Sequence, residues 1–131
     1  MAGPRGAALV IAAAAALAGC SKDAAAPAGP RDAVLAAWKA EQLAPAAALV
    51  PAKVAFAADC QTGAVGEIDV LLCNFASPAE AKAAEVAGLA WIGAATGASQ
   101  AHGAALVVVA DRKKADPSGR TINKLLKLAP N

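Results

Sequence analysis

The stretch that decides the fold is KVAFAADCQTGAVGEIDVLLC, residues 53–73. Its first part, Lys53 to Cys60, alternates, with Val54, Phe56, Ala58 and Cys60 on one side. Ile68, Val70 and Leu72 form a second alternating set in a run that ends almost wholly apolar. Alternation of period two is the mark of a half-buried strand. Between the two lies Val65-Gly66-Glu67-Ile68, and glycine at the first position of a two-residue loop suits a type II′ hairpin turn. With Gly66-Glu67 as the loop, Val65 opposes Ile68, Ala64 opposes Asp69 and Thr62 opposes Leu71. Cys60 then falls opposite Cys73. Pairs alternate between hydrogen-bonded and non-bonded, starting bonded at the turn, so 60–73 is a non-bonded pair with Cα atoms about 4.5 Å apart. That separation is within reach of a disulfide. Turn chemistry and cysteine spacing give one register independently.

Outward from the hairpin, Asp32 is placed to cap a helix through Val34, Leu35, Trp38 and Leu43, stopped by Pro45. Residues 44–52 form a connector. Ser77-Pro78-Ala79-Glu80 has the pattern of a capping box with Pro at the first helical position, opening a helix that runs on to Trp91 or Ala95. Residues 97–103 read as a turn region. AALVVVA, residues 104–110, is apolar throughout and reads as a strand buried on both faces. Residues 111–119 form a polar loop. Asp116-Pro117 then starts a last helix with Ile122, Leu125 and Leu126 inward. The expected fold is α+β, in the order α-β-β-α-β-α. It has a three-stranded sheet, a disulfide-stapled hairpin and helices mainly on one face. The strand at 104–110 is set beside 53–60, with a place beside 68–73 as the alternative. If strands 68–73 and 104–110 are parallel, their crossover is right-handed.

Residues 1–19 carry the parts of a secretory signal: Arg5, an uncharged apolar run from Ala7 to Leu17, and the small residues Ala18 and Gly19. The run is about half the roughly 20 residues that span a bilayer. It ends in Leu17-Ala18-Gly19-Cys20. This tetrapeptide resembles the lipobox of bacterial lipoproteins. The resemblance implies cleavage before Cys20, a diacylglyceryl group on its thiol and an acylated amine, and so a firm lipid anchor such as palmitate chains provide. Ser21 after the cysteine implies the outer membrane, facing the periplasm. The domain as a whole also resembles small lipoproteins of GC-rich Gram-negative bacteria, which implies no activity. Residues 20–30 hold two Pro, one Gly and no large apolar side chain after Cys20, so they read as a flexible tether. Residues 31–131 are then one domain.

Alanine makes up about a third of the chain, as a GC-rich genome would favour. Lys and Arg number 12 against 10 Asp and Glu, and Arg5 belongs to the leader. Such a balance gives no global field for nucleic acid. With Cys20 taken by lipid, Cys60 and Cys73 remain for one structural disulfide in an oxidising compartment. Their spacing does not fit a C-x-x-C redox pair.

Chemistry-bearing residues are sparse. His102 is the single histidine, set in the expected turn without metal or triad partners. Asp59, Glu67 and Asp69 flank the hairpin as solvated charges, with Asp59 and Asp69 on opposite faces. Thr96-Gly97-Ala98-Ser99 lacks either phosphate-binding glycine pattern. The loop at 111–119 lacks a calcium-binding ladder. No catalytic residue, cofactor or metal site is therefore expected. Arg112, Lys113, Lys114, Arg120 and Lys124 crowd the last twenty residues, together with Lys127. They are the candidate contact for an anionic lipid surface or an acidic envelope partner. The reading is a membrane-anchored, non-enzymatic binding or scaffolding domain. Its rivals are an envelope-acting hydrolase, which would need a pocket joining His102, Thr96 and an acid, and a periplasmic redox protein using Cys60 and Cys73.

Overall fold

The structure, a computed structural model, describes residues 29–131. The expected signal, Cys20 and most of the expected tether lie outside the described residues. The fold is α+β, as expected, but its sheet has five strands, not three, and every neighbouring pair is antiparallel. In chain order the elements are α1 (Pro30–Ala40), β1 (Val50–Val54), β2 (Ala57–Val65), β3 (Ile68–Asn74), α2 (Pro78–Ala83), α3 (Glu85–Ile92), β4 (Thr96–His102), β5 (Ala105–Asp111) and α4 (Arg120–Leu128). The strand order is β1-β2-β3-β5-β4.

The hairpin β2–β3 has the expected register. Val65 pairs with Ile68, Thr62 with Leu71 and Cys60 with Cys73. Gly66 has φ 59°, the conformation that a type II′ turn requires of its first loop residue. A disulfide joins Cys60 to Cys73 across Cα atoms 4.0 Å apart. Around this hairpin the expectation needs four corrections. Lys53–Cys60 is not one strand: Ala55-Phe56 make a tight turn, so the chain forms β1, reverses, and starts β2. Residues 96–102 are a strand, not a turn. β5 lies beside β3, the alternative placement, and antiparallel to it, so no parallel crossover exists. Finally, the helices lie on both faces.

The two faces form two cores. Val34 and Trp38 of α1 and Ile122, Leu125 and Leu126 of α4 pack on Val65, Val70, Leu72, Val107 and Val109. The indole N–H of Trp38 donates to the Leu125 carbonyl at 2.8 Å, one of the orphan carbonyls of the last turn of α4. Opposite, Ala84 of α2–α3 and Ile92 pack on Cys60, Leu71, Cys73, Leu106 and Val108. Gly88 lies so near β4 that a Cβ would overlap the Ser99 hydroxyl. A strand covered on both sides reads as a continuous apolar run, and all of β5 is buried, apolar from Ala105 to Ala110 and ended by Asp111.

The helix starts also differ from expectation. α1 begins at Pro30 on Gly29, not at Asp32. It ends at Ala40, before Pro45, where Gln42 takes φ 62°. The expected long helix is broken at Ala84 into α2 and α3. Ser77 caps it through its hydroxyl, which accepts the Glu80 N–H. α4 begins at Arg120 rather than Pro117. It starts on Gly119, with no capping side chain of its own at that position. Asp116 supplies the acceptors from a distance, taking the N–H groups of Thr121 and Ile122. Asp111 in turn accepts from Ala115 and Asp116. Two buried aspartates thus relay the end of β5 into the start of α4.

Each outer strand carries one feature that hinders further pairing. The ladder alternation that makes 60–73 non-bonded turns the backbone of Cys60 toward Ala52, so Pro51 points outward. Proline has no N–H to offer there, and Lys53 beside it is exposed. At the other edge, the outward N–H of Ala101 is taken by the Glu85 carboxylate at 2.8 Å.

Candidate functional site

The fold engages the basic residues to different degrees. Arg112 is the most constrained. Its guanidinium donates to Asp69 at 3.0 Å and to the Trp91 carbonyl at 2.6 Å, and lies 4.3 Å over the Trp91 ring. It clamps the end of β5 to α3. Lys113 pairs with Glu67 in the hairpin turn at 3.3 Å. Lys114, at φ 56°, lines a recess with Arg112, Thr96, Asp111, Asp116 and Pro117. Arg120 and Lys124 are exposed on α4. Lys127 lines a separate recess with Gln100, Asn123 and Leu126. Two of the five candidate contacts are thereby engaged with carboxylates, and Lys114, Arg120 and Lys124 carry what field remains.

Asp59 and Glu67 are solvent-exposed, as expected, and each is also tied into the fold by an ion pair. Asp59 accepts from Arg31 at 2.8 Å and from Asn74 at 3.1 Å. These bonds hold its carboxyl below the usual range against a small desolvation effect. Asn74 closes the clasp by accepting the Arg31 backbone N–H, which fixes the start of α1 to the ends of β2 and β3. Glu85 is likewise lowered, by the Ala101 N–H and then by Lys82. Asp116 is lowered chiefly by the Ile122 N–H.

His102 is not an exposed turn residue. It closes β4, half-buried, and both ring nitrogens are buried without a well-formed hydrogen bond. The Ala129 carbonyl and the Asn131 side chain lie near and favour the imidazolium, but burial outweighs them and lowers its pKa. Thr96 and His102 stand at opposite ends of one strand, roughly 20 Å apart at 3.3 Å per residue. Ser99 and His102 differ by an odd number of residues, so they face opposite sides of the sheet. Neither arrangement makes a nucleophile–base pair. The disulfide is sealed, with Cys73 0% and Cys60 4% exposed, so its sulfurs are closed to thiolate attack. Among the described residues no three His, Cys, Asp or Glu side chains form a metal-binding group.

A surface the sequence reading did not single out is more conspicuous. Val86 is 75% and Leu89 53% exposed on α3, with Ala83 and Ala90 exposed beside them. A shallow groove of 360 Å³, lined by Phe56, Phe75, Glu80, Ala83, Ala84 and Ala87, joins this helix layer to the tip of the β1–β2 hairpin. Val50 on β1 is 56% exposed. The signal was present in EVAGLAWI, residues 85–92, which has no polar face after Glu85. A helix apolar all round, on a sheet that can cover only one side of it, leaves apolar surface outside. A second groove of 360 Å³ lies on the opposite face, between α1 and the 44–49 connector. It is lined by Leu35, Pro45 and Leu49, with Lys39 and Gln61 as its polar groups.

The chain matches no family model, no curated protein and no solved structure. Among the described residues no helix is long and apolar enough to cross a membrane.

Proposed function

We propose that this protein is a lipid-anchored binding or scaffolding domain. In this reading it is held through Cys20 to the outer membrane and displayed in the periplasm. The observation that carries the anchor is Leu17-Ala18-Gly19-Cys20 at the end of an uncharged apolar run. The buried Cys60–Cys73 disulfide supports an oxidising compartment. The use of the acids supports binding over catalysis. Asp59, Glu67, Asp69, Glu85, Asp111 and Asp116 each hold another part of the fold in place. A general acid or base must instead be free to exchange a proton with a substrate.

The test is Cys20→Ala in the full chain, read by mass and by partition between membrane and soluble fractions. The expected variant gains no acyl mass and either keeps its leader or leaves the membrane. Membrane retention with unchanged mass would rule the anchor out.

A further inference from the structure

We infer that the apolar surface of α3 and the Phe56–Phe75 groove is the face by which the anchored domain rests on the bilayer. The inference rests on the Cys20 anchor proposed above. Three observations lead to it. The first is where the chain leaves the fold. Gly29 sits against Asn74, and the clasp of Arg31, Asp59 and Asn74 pins this corner. Phe75, the next residue after Asn74, lines the groove. Residues adjacent along a strand face opposite sides, so the segment that leads back to Cys20 departs on the α1 face, from the same end of the sheet as the groove on the α3 face. The second is its length. Eight residues lie between Cys20 and Gly29, and nine steps of roughly 3.5 Å each cannot span more than about 30 Å. A lipid on Cys20 keeps this corner of the domain within that distance of the bilayer. The third is chemistry. Val86, Leu89, Ala83, Ala90, Phe56 and Phe75 are uncharged. At their margin Lys82 already pairs with Glu85, and a lysine there can keep its head in water while its stem lies on apolar surface. Such a surface suits the headgroup–acyl boundary, where apolar helix faces settle to a depth of about 5–10 Å. A second copy of the chain is the poorer occupant. α3 has eight residues, a strip about 12 Å long, whereas a stable dimer buries roughly 800 Å² per partner.

The two tryptophans report on opposite faces: Trp91 lies on α3, and Trp38 is buried between α1 and α4. The experiment uses the full, lipid-bearing chain in neutral phosphatidylcholine vesicles whose acyl chains carry bromine. Flotation and intrinsic fluorescence are measured on the same sample. The expected result is flotation with Trp91 emission quenched by the brominated chains, as for a ring held near the acyl boundary. The quenching should persist in high salt, since no ion pair drives it. Trp91→Phe should abolish it. The pair Val86→Asp with Leu89→Asp, at exposed positions, should keep flotation and lose the quenching. Flotation of the unsubstituted protein with unquenched Trp91 overturns this face and leaves the anchor standing. A chain that neither floats nor carries acyl mass overturns both. A dimer in sedimentation that the same two aspartates abolish overturns the bilayer in favour of a second copy.

Discussion

Replacing both Cys60 and Cys73 by Ala should cost this domain a large part of its stability. The bond closes a loop with a sequence separation of 13. Loop-closure entropy for about 14 residues is about 10 cal/mol/K, or about 3 kcal/mol at 25 °C. Both positions are buried between the β2–β3 hairpin and the α2–α3 layer, so the lost sulfurs leave a small void and the figure is a lower bound. For a domain of this size 3 kcal/mol corresponds to a fall in Tm of roughly 12–24 °C. Urea unfolding followed by far-ultraviolet circular dichroism measures it directly. The midpoint should fall and the slope m should rise, because the unbridged denatured chain exposes more surface. Reductant added to native wild-type protein should act slowly, since the sulfurs become accessible only on opening. A loss below about 1 kcal/mol would refute the reasoning. It would mean that the Gly66-Glu67 turn and the flanking strands hold the register without the bond.

Trp38→Phe should destabilise by about 2 kcal/mol, from lost volume and a bared carbonyl at Leu125, and chemical denaturation of the variant checks this. Stability should also fall on acidification. His102 has a lowered folded pKa, so below about pH 6.5 the unfolded chain takes up a proton that the folded chain refuses. Asp59, Glu85 and Asp116 also have lowered folded values. Their contribution is present above the ordinary carboxylate range and is lost as pH falls through the lowered values. A thermal melting series from pH 8 to pH 3 should therefore descend monotonically, and a rise anywhere below pH 6 would contradict these assignments.

The hairpin was legible because one turn, one alternation and two cysteines over-determined it. The outer strands were not. VPAKV, residues 50–54, carries a proline, and TGASQAH, residues 96–102, has no β-branched residue and no Phe, Tyr or Trp after Thr96. Both are edge strands, held by a strongly apolar neighbour rather than by their own preferences. A signal for the second existed. His102-Gly103-Ala104-Ala105 repeats the loop pattern of Val65-Gly66-Glu67-Ile68, and Gly103 takes φ 58° beside 59° at Gly66. Applied twice, the turn argument would have found β4. The wholly apolar run at 104–110 likewise required cover on both sides of the sheet, which a single helix layer cannot give. In the candidate site, the charges were legible as residues but not as pairs. Arg112 and Asp69 lie 43 positions apart, and only the fold brings them together. The apolar face was hidden by the excess of alanine, which blurs any helical stripe.

The guarded edges of the sheet bear on how this chain behaves when many copies are crowded together. A third of its residues are alanine, and its central strands would serve well in a fibril. Growth of such a fibril from native protein has to begin at an unpaired strand. Here one end of the sheet offers a proline nitrogen and the other a donor already held by Glu85. Pro51 and Glu85 thus each remove one backbone donor from an edge along which the sheet could extend from one molecule into the next.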